Sequence, residues 1–195
     1  MWYVIQTETG REQELVDAIN RVLCGAGYKR CFVIRQECVW RIGGGYKTYI
    51  RPMFPSYVFA ETDAPEAFFL SLKRVDRLSR LLGNDGVFGT VTEEEQALLC
   101  RMMEGEEGRA LRLCPQESEK GPARAGDTYP NLVRRSPVRV SGEGEITEAG
   151  GFLKDYLDKI VKKRLRKRSV TIEIPFLGEN RRIQVGIRVE GEDPD

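Results

Sequence analysis

The stretch RPMFPSYVF, Arg51–Phe59, sets two prolines around a bulky apolar pair and runs straight into a strand-like Tyr-Val-Phe triplet. Each proline fixes its own φ and pushes its predecessor toward extended geometry, so Arg51, Met53 and Phe54 are excluded from an uninterrupted helix. The result is a stiff corner. Phe54 and Tyr57 held on such backbone would suit a partner's groove, because little side-chain freedom remains to be lost on binding. The competing reading is a proline-bounded core strand. Aromatic residues are more often core than interface, and spacing alone favours the core.

Upstream of the corner, Trp2 to Thr7 is aromatic and β-branched and reads as a strand. Thr9 and Glu12 have the spacing of a capping box, followed by Leu15, Val16, Ile19, Val22 and Leu23 at helical intervals and by Gly25 and Gly27 as stop signals. Val33 to Ile42 and Lys47 to Ile50 flank Gly43-Gly44-Gly45 and read as a hairpin. Downstream, Tyr57 to Ala60 is a strand, and Asp63, Pro65 and Glu66 open a helix carrying Phe68, Phe69 and Leu72. Leu78 to Leu82 reads as a further strand. Thr92 with Glu93, Glu94 and Glu95 forms a second capping box, ahead of Leu98, Leu99 and Met102.

Residues 106–135 lose apolar periodicity and contain Pro115, Pro122 and Pro130, the composition of a linker. Beyond them, Val138 to Val140, Ile146 to Thr147, Val170 to Ile174 and Ile183 to Val189 are short β-prone runs that fit a small barrel. One segment conflicts with this pattern. Phe152, Leu153, Tyr156, Leu157, Ile160, Val161 and Leu165 recur with helical spacing.

Composition removes several functional classes. The chain has 195 residues with 41% hydrophobic content, enough for one ordinary core and a smaller one. No apolar run approaches the roughly 18 residues that span a bilayer, and Met1-Trp2-Tyr3 opens onto a strand with no signal segment, so a cytoplasmic protein is expected. Cys24, Cys31, Cys38, Cys100 and Cys114 form an odd set without Cys-x-x-Cys spacing, the pattern of reduced thiols. The chain contains no histidine, which takes away the commonest general base and metal ligand. Gly43–Thr48 is a poor phosphate loop: Tyr46 stands where a glycine should precede Lys47, and the flanks read as strands. No catalytic residue, metal site or cofactor is expected, and a small nucleotide-processing enzyme is disfavoured.

The charge pattern is more specific. Lys162-Lys163-Arg164-Leu165-Arg166-Lys167-Arg168 is basic at every position but one, in a chain whose formal net charge is only +1. Arg181 and Arg182 would join this run if their strand folds back. Such a patch attracts phosphate backbones and should bind them in a salt-dependent way. A solvated charged face is the plain alternative.

Taken together, WYVIQ with a Gly10 turn and helix, the glycine-rich hairpin, RPMFPSYVF and the small C-terminal β-domain resemble the NusG transcription elongation factors from Trp2 to Val189. The corner is similar to the family's Phe-Pro-Gly-Tyr-Val segment, with Ser56 at the glycine. That exchange demands a conformation a non-glycine residue can adopt. The resemblance implies an α+β protein with an N-terminal NGN domain (residues 1–105, an antiparallel sheet with flanking helices), a linker (106–135) and a C-terminal KOW domain (136–191, an SH3-like β-barrel). Gly151-Phe152-Leu153-Lys154 looks like the opening of the KOW motif, and Lys159-Ile160-Val161-Lys162 like its next strand. Asp158 replaces the usual glycine, although Asp tolerates left-handed geometry. A relative, RfaH, folds this domain as a helical hairpin at rest, which keeps a helix open for 152–165. Val170-Thr171-Ile172 and the Gly178 turn favour the barrel.

The resemblance further implies docking on the clamp helices of RNA polymerase through Trp2, Phe54 and Tyr57, and Arg21 on the first helix facing non-template DNA. The basic run is similar in composition to that of LoaP-type paralogues. It implies that Lys162, Lys163, Arg164, Arg166, Lys167 and Arg168, with Arg181 and Arg182, bind a nascent RNA hairpin in an antiterminator, and nothing in the sequence requires more than a monomer. The alternative is a general elongation factor whose KOW domain contacts ribosomal protein S10 or Rho.

Overall fold

In chain order the elements are β1 (Trp2–Thr7), α1 (Glu12–Leu23), β2 (Arg30–Phe32), β3 (Arg35–Ile42), β4 (Gly45–Pro52), β5 (Tyr57–Glu61), α2 (Pro65–Leu72), β6 (Ser79–Leu81), β7 (Thr90–Val91) and α3 (Glu93–Glu104). They continue with β8 (Leu132–Val133), β9 (Ser136–Val140), β10 (Ile146–Ala149), β11 (Ile160–Arg164), β12 (Ser169–Phe176) and β13 (Glu179–Val189). These come from a computed structural model that describes residues 1–75, 79–81, 89–104 and 131–191. Two compact units result: residues 1–34, 54–97 and 176–178 form the first, and 35–53, 98–175 and 179–195 the second.

The first unit is built on an antiparallel sheet in the order β2-β5-β1-β6, with β7 also on β1. Alternation along the strands gives the sheet two apolar faces. One carries Ile5, Cys31, Val33, Val58 and Ala60, which pack with Leu15, Val16, Ile19 and Leu23 of α1 and Phe68 and Leu72 of α2. The apolar positions expected for both helices are therefore mostly the ones that bury, with Val22 of α1 and Phe69 of α2 only partly covered. Cys24 closes α1 at φ 48, followed by Gly25 at φ 82, a left-handed stop of the usual kind. Pro65 occupies the first turn of α2, where its missing N–H costs nothing, and Thr62 Oγ1 accepts from Ala64 N at 3.0 Å.

The two capping boxes turn out differently. At α3 the box forms in both directions, Glu95 N donating to Thr92 Oγ1 at 3.2 Å and Thr92 N to Glu95 Oε2 at 2.8 Å. At α1 it does not: Arg11 is the N-cap and no side chain caps it. Glu12 instead accepts from Gly10 N at 3.1 Å and from Ser56 N at 2.8 Å, while Thr9 Oγ1 lies 2.5 Å from Ser56 Oγ. The proline corner has captured both residues of the expected box. Of the predicted strand at Leu78 to Leu82, Ser79–Leu81 forms β6, and its two ends lie outside the described residues.

In the second unit, β3 and β4 pair from Arg35↔Pro52 to Ile42↔Gly45. Gly43 and Gly44 make the turn at φ 59 and φ 87, the pair of positive values that a tight two-residue hairpin needs. The glycine triplet thus serves a strand-to-strand turn. β8 runs parallel to β3 through Arg35↔Leu132 and Gln36↔Val133, so part of the stretch expected as linker is strand; residues 105–130 lie outside the described residues. The remaining strands form a sheet in the order β10-β9-β13-β12-β11, in which β9 and β13 are parallel.

The helical periodicity of 152–165 resolves into two shapes. Gly151–Lys159 is a 3₁₀ stretch broken at Tyr156 (φ −127), and β11 follows it. Only Leu153 of its apolar side chains is fully buried. Short 3₁₀ turns place side chains three apart on one side, so such a segment mimics a helical repeat in sequence. Asp158 lies within this stretch and is not among the residues with positive φ.

Candidate functional site

The other face of the first unit's sheet is aromatic. Trp2 meets Phe32 edge-on at 5.1 Å and Phe59 at 6.4 Å, and Phe54 meets Phe59 at 5.7 Å. Phe176 stacks on Phe54 at 4.9 Å with a 28° interplanar angle. Arg30 lies 5.3 Å from the Trp2 ring centre and 4.6 Å from that of Phe32, and its Nε donates to Glu61 at 2.8 Å. Register explains the assembly: β5 lies between β1 and β2, pairing Val4 with Phe59 and Phe32 with Phe59.

Of the residues expected to meet polymerase, Trp2 and Phe54 belong to this cluster and each is only 5% exposed, while Tyr57 is half-buried at the start of β5. The corner itself is held by Ser56 at φ 71. A side chain in that region is unfavourable, and the two hydrogen bonds to Ser56 offset the cost. Phe32, Phe59, Phe176 and Arg30 were not singled out from sequence. The strand alternation that sets Phe59, across from Val4, on the same face as Trp2 was a readable signal, whereas Phe176 comes from the end of β12, far along the chain.

Arg21 is exposed in the last turn of α1, where a cation also suits the helix dipole. The expected RNA-binding residues divide into two groups. Lys162, Lys163 and Arg164 are exposed on β11, an edge strand of its sheet, and Arg166 and Lys167 are exposed on the 3₁₀ turn after it. A bulge between Ile160 and Lys162 shifts the register against β12. Among the described residues, Lys162, Arg164, Arg166 and Lys167 have no acidic partner. Lys163 pairs with Glu145, Arg182 with Glu173 at 2.9 Å, and Arg181 with Glu179 at 3.6 Å.

Arg168 is placed differently from the other cations of the run. It is 6% exposed, takes a left-handed φ of 47, donates from Nη1 to Leu165 O at 3.1 Å and lies 4.7 Å from the Tyr46 ring centre. Its carbonyl accepts from Ile187 N at 2.9 Å. Such a guanidinium braces the turn between Leu165 and Tyr46.

Four of the five cysteines lie among the described residues, and these four form no disulfide. Burial pushes the thiols of Cys31 and Cys38 up, which keeps both protonated and unreactive at neutral pH. No described helix is long and apolar enough to cross a membrane.

An antiparallel sheet with helices on one face and aromatic rings on the other, together with a C-terminal β-rich region bearing a basic edge, defines a protein of mixed α and β structure. Residues 1–99 match the family described as transcription termination factor NusG. The chain belongs to the NusG family, and its N-terminal region is the NGN domain, as its strand and corner motifs implied. Members are transcription factors acting in elongation and termination, and they typically interact with RNA polymerase. Among solved structures, that of Thermotoga maritima NusG, described for its domain interaction, is similar at a TM-score of 0.48 and 15% identity, over 95% of this chain and 93% of that one. No curated protein matches the chain.

Proposed function

We propose that this chain is a non-enzymatic antiterminator of the LoaP-like kind. In this reading residues 1–105 dock on the RNA polymerase clamp helices, residues 106–135 link, and residues 136–191 act as a KOW domain of SH3-like barrel form that holds a nascent RNA hairpin. The observation that carries it is the placement of Lys162, Lys163, Arg164, Arg166 and Lys167. Edge strands commonly carry charge to discourage edge-to-edge pairing. Here the charge continues past the ladder into the turn, where edge protection needs none, and a polyanion gives it a use. Arg182 extends the surface from β13; Arg168 supports the turn. Arg21 is the contact proposed for non-template DNA.

Trp2, Phe54 and Tyr57 form the polymerase contact in this reading. A ligand that prefers the closed clamp shifts the population toward it and so disfavours pausing. Two weak contacts joined by a linker also raise each other's effective concentration. Docking through Phe54 requires its ring to come out from under Phe176.

The test compares polymerase binding by the whole chain with that of Phe54→Ala and Tyr57→Ala. Truncating a buried Phe costs about 3–5 kcal/mol in a core, so each variant's melting curve is recorded alongside. The expected outcome is weakened polymerase binding by folded Tyr57→Ala and by Phe54→Ala. Unchanged binding by both would remove the docking assignment. Polymerase binding without salt-sensitive RNA affinity, together with capture of ribosomal protein S10 or Rho, would make the chain a general elongation factor.

A further inference from the structure

The β3–β4 hairpin presents exposed aromatic surface that neither proposed contact uses. Trp40 is 65% exposed and Tyr49 41%, with Ile42 also exposed beside the turn. Register puts them together: Trp40 pairs with Lys47 and Cys38 with Tyr49, so Trp40 and Tyr49 are diagonal neighbours on one face. Their ring centres are 6.4 Å apart at 64°. Lys47 stands directly across from Trp40 on the same face, while Arg41, exposed as well, pairs with Tyr46 and alternates to the opposite face. Among the described residues neither cation has an acidic partner. Glu37 is the only acid between Arg35 and Pro52, and its carboxylate faces Arg135, with Oε2 3.3 Å from the backbone N and Oε1 3.6 Å from Nε.

A cross-strand aromatic pair commonly does no more than stabilise a hairpin. That role does not account for an indole left mostly in water on a β-ladder already closed by a tight glycine turn. We propose that this face of the hairpin is a stacking platform for unpaired bases of a single-stranded polynucleotide. Trp40 and Tyr49 offer the π-faces, and Lys47, on the same face of the ladder, neutralises a phosphate beside the stacked bases. Any base can stack on such rings, so binding is tolerant of sequence and sensitive to salt. The position of Lys47 decides against a protein partner: lysine is depleted from protein interfaces, where it would have to be desolvated beside the aromatic anchor. Against a polyanion the same lysine is favourable. The inference does not depend on the reading of the basic run.

The experiment titrates the full chain with short oligo-dT and oligo-U strands while following tryptophan fluorescence. The other tryptophan, Trp2, is buried in the first unit, so quenching reports on Trp40. Salt-reversible quenching is expected with one or both strands, and the stronger arm tells DNA from RNA. Trp40→Ala, an exposed substitution that spares the fold, should abolish quenching and weaken binding about tenfold, the scale of one base on one aromatic. Trp40→Phe should retain most of the affinity, and Lys47→Ala should weaken it at low salt. Arg166→Glu with Lys167→Glu separates this site from the basic run, and quenching should persist in that variant. Absence of quenching overturns the proposal, as does equal affinity in Trp40→Ala. Weaker polymerase binding by Trp40→Ala with unaltered oligonucleotide binding overturns it in favour of a protein contact.

Discussion

Ser56 shows how one side chain can require several others. It stands at φ 71, a region that glycine enters freely and serine does not, and Glu12 and Thr9 hold it there. Glu12 is buried, and its Oε1 accepts from both Gly10 N and Ser56 N. Glu12→Ala should therefore destabilise the chain by about 1–3 kcal/mol, because two backbone donors lose their acceptor at once. Ser56→Gly, which relieves the backbone, should recover part of that loss in the double variant. Denaturant melts of the two single variants and the double variant check this, and simple addition of the effects would deny the coupling. The need for a special conformation at Ser56 was legible in the sequence, from the prolines and the family motif. The role of Glu12 was not: its capping-box spacing was real, but its partner lies 44 residues away and exists only once the corner has folded.

At the scale of elements, local pattern succeeded wherever the chain could satisfy its backbone by itself. Pro65 opens α2, the glycine turn closes β3–β4, and Thr92 with Glu95 opens α3. Thr92→Ala should cost about 1 kcal/mol by removing the acceptor for Glu95 N. Thermal melts check that value, and Thr92→Ser, which keeps the hydroxyl, should be close to neutral. Pattern failed at 152–165. Its apolar repeat served a broken 3₁₀ stretch followed by an edge strand, and the deciding contacts are the pairing of β11 with β12 from Ile160↔Ile172 to Arg164↔Ser169. A strand whose side chains are mostly exposed lacks the alternation that would have announced it, because Val161 through Arg164 all face water.

For the whole molecule, a formal charge of +1 conceals strong segregation, since the basic run is balanced by acids elsewhere in the chain. Its cations were legible as a group. Which of them remain available was not, because Lys163 and Arg182 are ion-paired and Arg168 is buried over Tyr46. That division leads to an ordered prediction for binding of a structured RNA. Lys162, Arg164, Arg166 and Lys167 should each contribute about one unit to the slope of log affinity against log salt, so Lys167→Ala lowers the slope by about 1. Lys163→Ala should lower it less, since its ammonium already has a carboxylate to leave. Arg168→Ala should change affinity mainly by loosening the turn, with the salt slope nearly kept and the melting temperature reduced. Titrations at several salt concentrations and melts of the same variants separate the three behaviours. Equal slopes for Lys167→Ala and the parent chain would return the basic run to an ordinary charged edge.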